Sequence, residues 1–237
     1  YTDPDRTGLN TSSDYAFDDG GKARTWSASS KLTVDLDGVN LTWISDYKDF
    51  TKDFLLDLTG DPANSWFWIG ESEETTLSQE LRFDGATDTL DWVAGLYYLK
   101  IDNQSVHGLG ALPNSSFAVN GEGYDIPRIA DLQSESYSAF GQVEHQLSDT
   151  LTVIGGLRVS RELKDYNFET IFVPTTIENN RPKKWDYAGG FSYGTYENDD
   201  DSDTLWNWKA QLNWRLSSDF LVYAGVTQGS KAGSFNS

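Results

Sequence analysis

The sequence predicts an all-β chain, read as a transmembrane antiparallel up-and-down β-barrel with long extracellular loops and short periplasmic turns. Three observations carry this. Hydrophobicity alternates with period two along eight segments and nowhere with a convincing helical period. The connections alternate between tight turns and stretches of roughly 24, 33 and 38 residues, where compact soluble domains seldom exceed about 15. Trp and Tyr sit on the apolar parity, several near segment ends, as they do where strands meet a membrane interface.

Each strand is justified in turn. From Leu32 the first segment alternates cleanly, with Trp26, Ala28, Leu32, Val34 and Leu36 on one face and Thr25, Ser27, Lys31 and Thr33 on the other. Asp37-Gly38 is a tight hairpin signal. The second strand places Val39, Leu41, Trp43 and Tyr47 on one parity. The third runs Leu77, Gln79, Leu81, Phe83, and a turn at Gly85–Asp88 leads to Leu90, Trp92, Ala94, Leu96, Tyr98. The fifth carries Tyr137, Ala139, Gly141, Val143 and Leu147, and Ser148-Asp149-Thr150 turns into Leu151, Val153, Gly155, Leu157, Val159. The seventh is the clearest: Trp206, Trp208, Ala210, Leu212, Trp214 and Leu216 against Asn207, Lys209, Gln211, Asn213 and Arg215. The eighth, Phe220 to Gln228, is apolar on both faces, so its outward side stays open. The strands so read are about 9 to 13 residues, long enough to cross a bilayer at a tilt.

Composition bounds the rest. Lys plus Arg is 18 and Asp plus Glu is 37, a formal charge of −19. That balance excludes nucleic acid as a partner, since phosphate neutralisation needs clustered cations. The absence of cysteine excludes a disulfide scaffold and thiolate chemistry. Mean hydropathy is −0.54, and no apolar run is long enough for a helical span. A chain that opens Tyr-Thr-Asp and holds no Met is expected to be a mature chain or a piece of a longer one. No linker divides residues 1–237, which are expected to form one unit. No catalytic constellation is legible: His107 and His145 lack a partner at ligand spacing, and no phosphate-binding or dinucleotide glycine pattern is present.

Four ordered stretches resemble the barrel of TonB-dependent outer-membrane receptors. They are Leu77–Phe83 with Leu90–Tyr98; Tyr137–Glu144 with Leu151–Arg158; Trp208–Trp214; and Leu221–Gly229 with Lys231–Asn236, where Ser234 replaces a common second Gly. The resemblance covers about residues 75 to 237. It implies about eight strands of a larger barrel of about 22 strands, the plug domain being absent from this chain. It further implies a bacterial outer-membrane, multi-pass receptor, with no enzyme activity and no cofactor. Such a receptor takes up a scarce nutrient, by default a ferric siderophore or similar iron chelate. The implied partners are outer-membrane lipid and lipopolysaccharide, the receptor's own plug and the TonB complex through other regions, and a small-molecule metal chelate. Two alternatives remain open here: a small closed outer-membrane barrel serving as adhesin or structural protein, and a secreted soluble β-sandwich binding carbohydrate.

Candidate ligand contacts are sought in the long connections. Trp66, Phe67 and Trp68, followed by Ile69, form an apolar stretch that should not stand free in water. Arg128, Arg181, Lys183 and Lys184 are the cationic residues placed to meet an anionic chelate. Glu197, Asp199, Asp200, Asp201 and Asp203 are a candidate Ca²⁺ site or contact to cation-bridged lipopolysaccharide, against the plainer reading of a solvated loop. Asp3, Asp5, Asp14, Asp18 and Asp19 form a similar acidic patch.

Overall fold

Period-two alternation becomes a continuous antiparallel ladder in the computed structural model, which describes residues 21–58, 66–111, 118, 120–174, 177–178, 181–182 and 191–235. The strands are β1 (Lys22–Asp35), β2 (Val39–Asp57), β3 (Trp66–Ala86), β4 (Leu90–Ala111), β5 (Tyr124–Ser148) and β6 (Leu151–Pro174). A two-residue hairpin, β7 (Ile177–Glu178) and β8 (Arg181–Pro182), precedes β9 (Phe191–Ser217) and β10 (Phe220–Gln228). The main sheet has eight strands in the order β1-β2-β3-β4-β5-β6-β9-β10, an up-and-down meander. It is open: among the described residues β1 pairs with β2 and β10 with β9, and the two ends do not meet.

The strands are far longer than the alternation alone predicts. β5 has 25 residues and β9 has 27, about 80 to 90 Å end to end against a hydrocarbon core of about 30 Å. The long connections shrink accordingly, to residues 58–65, 112–123 and 175–190. Alternation marks a strand only where one face meets an apolar medium. Beyond the apolar band the backbone ladder continues without that alternation, and the periodic signal disappears.

One parity is outward across the whole sheet. Val34, Leu41, Phe83, Ala94, Gly141, Leu157 and Trp208 lie in a single cross-strand row. Its neighbour holds Leu32, Trp43, Leu81, Leu96, Ala139, Val159 and Trp206. The open face of β10 is settled by register: Val222, Ala224 and Val226 lie opposite Trp214, Leu212 and Ala210, so the even residues point outward. Most of their large side chains are exposed, with Leu96 at 59% and Trp206 at 53%, and Leu41, Leu81 and Val159 are half-buried. Among the described residues a small buried cluster, Phe67 and Ile69 with Leu55 and Val106, packs like an interior.

The band has a constant height. Trp26 to Leu36, Tyr137 to Leu147 and Trp206 to Leu216 are each ten residues from upper aromatic to turn. Following the Val34 row from β1 to β9, both turn and aromatic slip by six residues over six strand steps. Six residues are about 20 Å and six strand spacings about 29 Å, so the strands tilt by about 35°. Ten residues at that tilt rise about 27 Å, close to the apolar belt of about 25 Å in outer-membrane barrels. An aromatic edge tops the band: Trp26 meets Tyr47 edge-on at 5.2 Å, and the Tyr98 and Tyr137 rings lie 5.0 Å apart.

The opposite end closes tightly. At the first hairpin Asp37 and Gly38 have φ of 61° and 94°, the double positive turn that suits a two-residue hairpin. Asp35 Oδ1 accepts from the Asp37 N–H at 2.9 Å, and Leu36 N–H reaches Val39 O at 2.8 Å. His145, expected near this end, accepts or donates at Nδ1 with Thr89 O at 3.1 Å.

Candidate functional site

The inward parity forms a polar wall. Arg158 projects from β6 and donates to Ser138 Oγ at 2.9 Å and Ser160 Oγ at 3.3 Å. Its guanidinium lies 5.2 Å from the Tyr97 ring centroid, a cation–π distance. Ser138 and Ser160 are buried and hydrogen-bonded to each other at 2.9 Å. Lys48 pairs with Glu74 at 2.9 Å, and Arg82 approaches Asp84 at 3.5 Å. This wall is what a water-facing lumen requires, with both charge signs interleaved.

Higher on the same parity the character changes. Leu56, Trp68, Leu109 and Ile126 share one row, and Phe54, Gly70, His107, Arg128 and Thr170 the next. Below them lie Lys52, Ser72, Ser105, Ala130 and Phe168. Trp68 stacks on His107 with ring centroids 5.8 Å apart and planes at 26°. Lys52 Nζ stands 5.0 Å from the Phe54 ring. Gly70 is required here, because a Cβ at that position would strike the Phe54 ring. Burial first, and the charge of Arg128 second, hold the His107 pKa below its ordinary value, which favours the neutral imidazole.

The structure redistributes the sequence candidates. Trp66, Phe67 and Trp68 are not loop residues but the first three of β3. Trp68 joins the inward patch, whereas Phe67 takes the outward parity, is fully buried, and packs in the Phe67–Ile69 cluster. Trp66 lies on the inward parity, paired with Ala111. Arg128 is in β5, directly opposite His107. Arg181 lies in the short strand β8, away from this sheet's ladder, and Lys183 and Lys184 fall outside the described residues. So does the acidic patch from Asp3 to Asp19.

Glu197, Asp199, Asp200, Asp201 and Asp203 are likewise not a loop but part of β9. Strand alternation splits them: Asp200 shares the outward row of Asp49 and Asp102, and the other four face inward. Among the described residues no three His, Asp or Glu side chains gather as a metal site would need. Asp203 is engaged otherwise. The segment after β10 turns over the inward face, where Asp203 Oδ2 accepts from Gly233 N–H at 3.0 Å. Phe235 then stacks on Tyr166 at 4.9 Å.

The patch residues Lys52, Phe54, His107 and Leu109 were not among the sequence candidates. Counting even positions down from Trp68 through the strand pairing finds them, but only once β3 is known to continue to residue 66.

The whole chain, residues 1–237, matches the family described as TonB dependent receptor-like, beta-barrel. The chain belongs to this TonB-dependent receptor barrel family. Among solved structures, the ferric yersiniabactin uptake receptor FyuA from Yersinia pestis is similar at a TM-score of 0.63 and 18% identity, over 88% of this chain and 28% of that one. The ferric-catecholate import receptor Fiu from E. coli K12 in its open form gives 0.62 and 14%, over 92% and 37%. The siderophore receptor PiuA from Acinetobacter baumannii gives 0.58 and 14%, over 86% and 32%. At such identities the likeness establishes the fold alone, and the chain spans about a third of the length of these receptors. No curated protein matches it. TonB-dependent receptors are transporters and not enzymes.

Proposed function

We propose that this chain is the barrel segment of a bacterial outer-membrane receptor that imports a scarce nutrient, a ferric siderophore or similar iron chelate. The observation that carries the reading is the belt of constant height. Its outward rows are open, apolar and edged by aromatics, which lipid covers and water does not. The unpaired edges of β1 and β10 support a larger barrel over a small closed one, because an open sheet edge is not viable in hydrocarbon. Further strands and a plug complete the receptor in this reading, and TonB supplies the energy through the plug. Ligand enters at the mouth, where Trp66, Trp68 and Arg128 lie on the inward parity, while the Arg158 wall lines the passage below. Phe67 acts there as packing and not as a ligand contact.

A growth-linked uptake assay tests this. A strain lacking the gene should lose growth on at least one ferric chelate as its iron source, and the full-length gene should restore it. Unchanged growth and unchanged uptake of radioactive iron across a chelate panel would sink the proposal.

A further inference from the structure

We propose that the inward patch at the mouth is a subsite for an aromatic, negatively charged arm of the ligand, laid against the Trp68–His107 pair and held by Arg128. This rests on the receptor reading above and narrows it, from any scarce nutrient to one carrying an anionic ring.

Charge placement argues first. The chain carries 37 carboxylate residues against 18 cations. Yet the three inward rows of Lys52, Phe54 and Leu56 contain no carboxylate on β2, β3, β4, β5 or β6. They do contain Lys52, Arg128 and His107. Arg128 is exposed and forms no ion pair among the described residues, unlike Lys48 and Arg82 deeper in the wall. Among the described residues the first carboxylate along these rows is Glu197 of β9, beyond Phe168, so the open guanidinium is left for an external anion. Ring chemistry argues second. Trp68 and His107 form one stacked surface, Phe54 lies beside them over Gly70, and Leu56 stays exposed at 54%. A planar ring gains most from such a surface, and its charge then falls against the guanidinium fork.

A consequence follows at His107. The charged or titratable side chains on the facing inward rows are Arg128 of β5 and Lys52 of β2; β3 contributes Trp68, Gly70 and Ser72, and β4 itself contributes Ser105 and Leu109. Arg128 repels a proton from His107. An anion bound to Arg128 cancels that repulsion, so binding draws a proton onto the imidazole. By linkage the ligand then binds more tightly as pH falls, by at most about tenfold per pH unit.

The test uses the full-length receptor in detergent and calorimetric titration with two probes whose charge is constant from pH 5 to 8. Naphthalene-1,5-disulfonate carries rings, and propane-1,3-disulfonate does not. The aromatic probe should bind at least fivefold more tightly. Arg128→Gln should weaken it at least tenfold and Arg128→Lys less. His107→Gln should weaken the aromatic probe, since it removes one ring of the stacked surface, and flatten the rise towards low pH. Heat-modifiable migration confirms that each variant is folded. Equal binding of the two probes, or full binding by folded Arg128→Gln, overturns the proposal. If deletion of the gene leaves iron uptake unchanged while the probe still binds, the receptor reading fails and the subsite stands; the reverse pattern refutes the subsite alone.

Discussion

Replacing Leu157 by Arg adds a second cation beside the native Arg158, on the opposite face of the strand. Arg158 faces the serine-lined wall; Leu157 faces out in the row of Phe83, Ala94 and Trp208 and is 48% exposed. On a soluble sheet, Leu→Arg at such a site changes stability by no more than about 0.5 kcal/mol. Depth decides the membrane case. Leu157 stands six residues from Leu151 at the turn and four from Arg161 at the upper edge, about 20 and 13 Å along the strand. At a tilt of about 35° it lies about 11 Å below the upper boundary, near the belt's middle. Arg facing lipid at that depth costs about 2–4 kcal/mol, a shift of roughly 30- to 900-fold in the folding equilibrium. Urea titration of the full-length receptor refolded into phospholipid vesicles, scored by heat-modifiable migration, measures it. Leu163→Arg is the control: the same strand and parity, six residues higher and above the aromatic edge, with an expected cost within about 0.5 kcal/mol. Equal costs for Leu157→Arg and Leu163→Arg would refute the placement of the belt.

Arg158→Ala should destabilise the barrel by about 1–2 kcal/mol in the same titration, because it removes two charge-assisted bonds to buried serines and the contact with Tyr97. Gly38→Ala should cost about 1–2 kcal/mol and slow formation of the first hairpin, since φ of 94° is unfavourable for any residue with a Cβ; a stopped-flow folding limb unchanged by the substitution would count against it. His107 has a folded-state pKa below its unfolded value, so the unfolded chain binds the extra proton first. Its contribution is therefore favourable at neutral pH and is lost as pH falls below the ordinary histidine range of about 6.5. His107→Gln should abolish that part of the acid sensitivity, read as a smaller loss of protease resistance at the rim between pH 7 and 5.5.

Much of the fold was legible because lipid writes a strong pattern. The hairpins at Asp37-Gly38, at Gly85–Asp88 and after Leu216 stand where alternation and turn chemistry place them. The mouth was less legible. Trp66–Ile69 and the run from Glu197 to Asp203 looked like loops because neither alternates: the first is apolar on both parities, with Phe67 and Ile69 buried, and the second is polar on both. Phe67 looked equivalent to Trp68, yet the pleat sends one into a buried cluster and the other to His107. The four carboxylates of β9 that share a face are spread along it by strand rise rather than gathered.

The sequence by itself determined the sheet, its meander order, its outward rows on every strand but β10, and the two unlike ends, because each is a matter of local backbone preference and of which face is apolar. Only the tertiary structure decided how far the strands run above the membrane, the tilt of about 35°, the openness of the sheet, and the meeting of Lys52, Phe54, Trp68, His107 and Arg128 on one face. The physical reason is register. Residues far apart in the chain become neighbours through inter-strand pairing, and pairing is set by the whole ladder rather than by any segment alone.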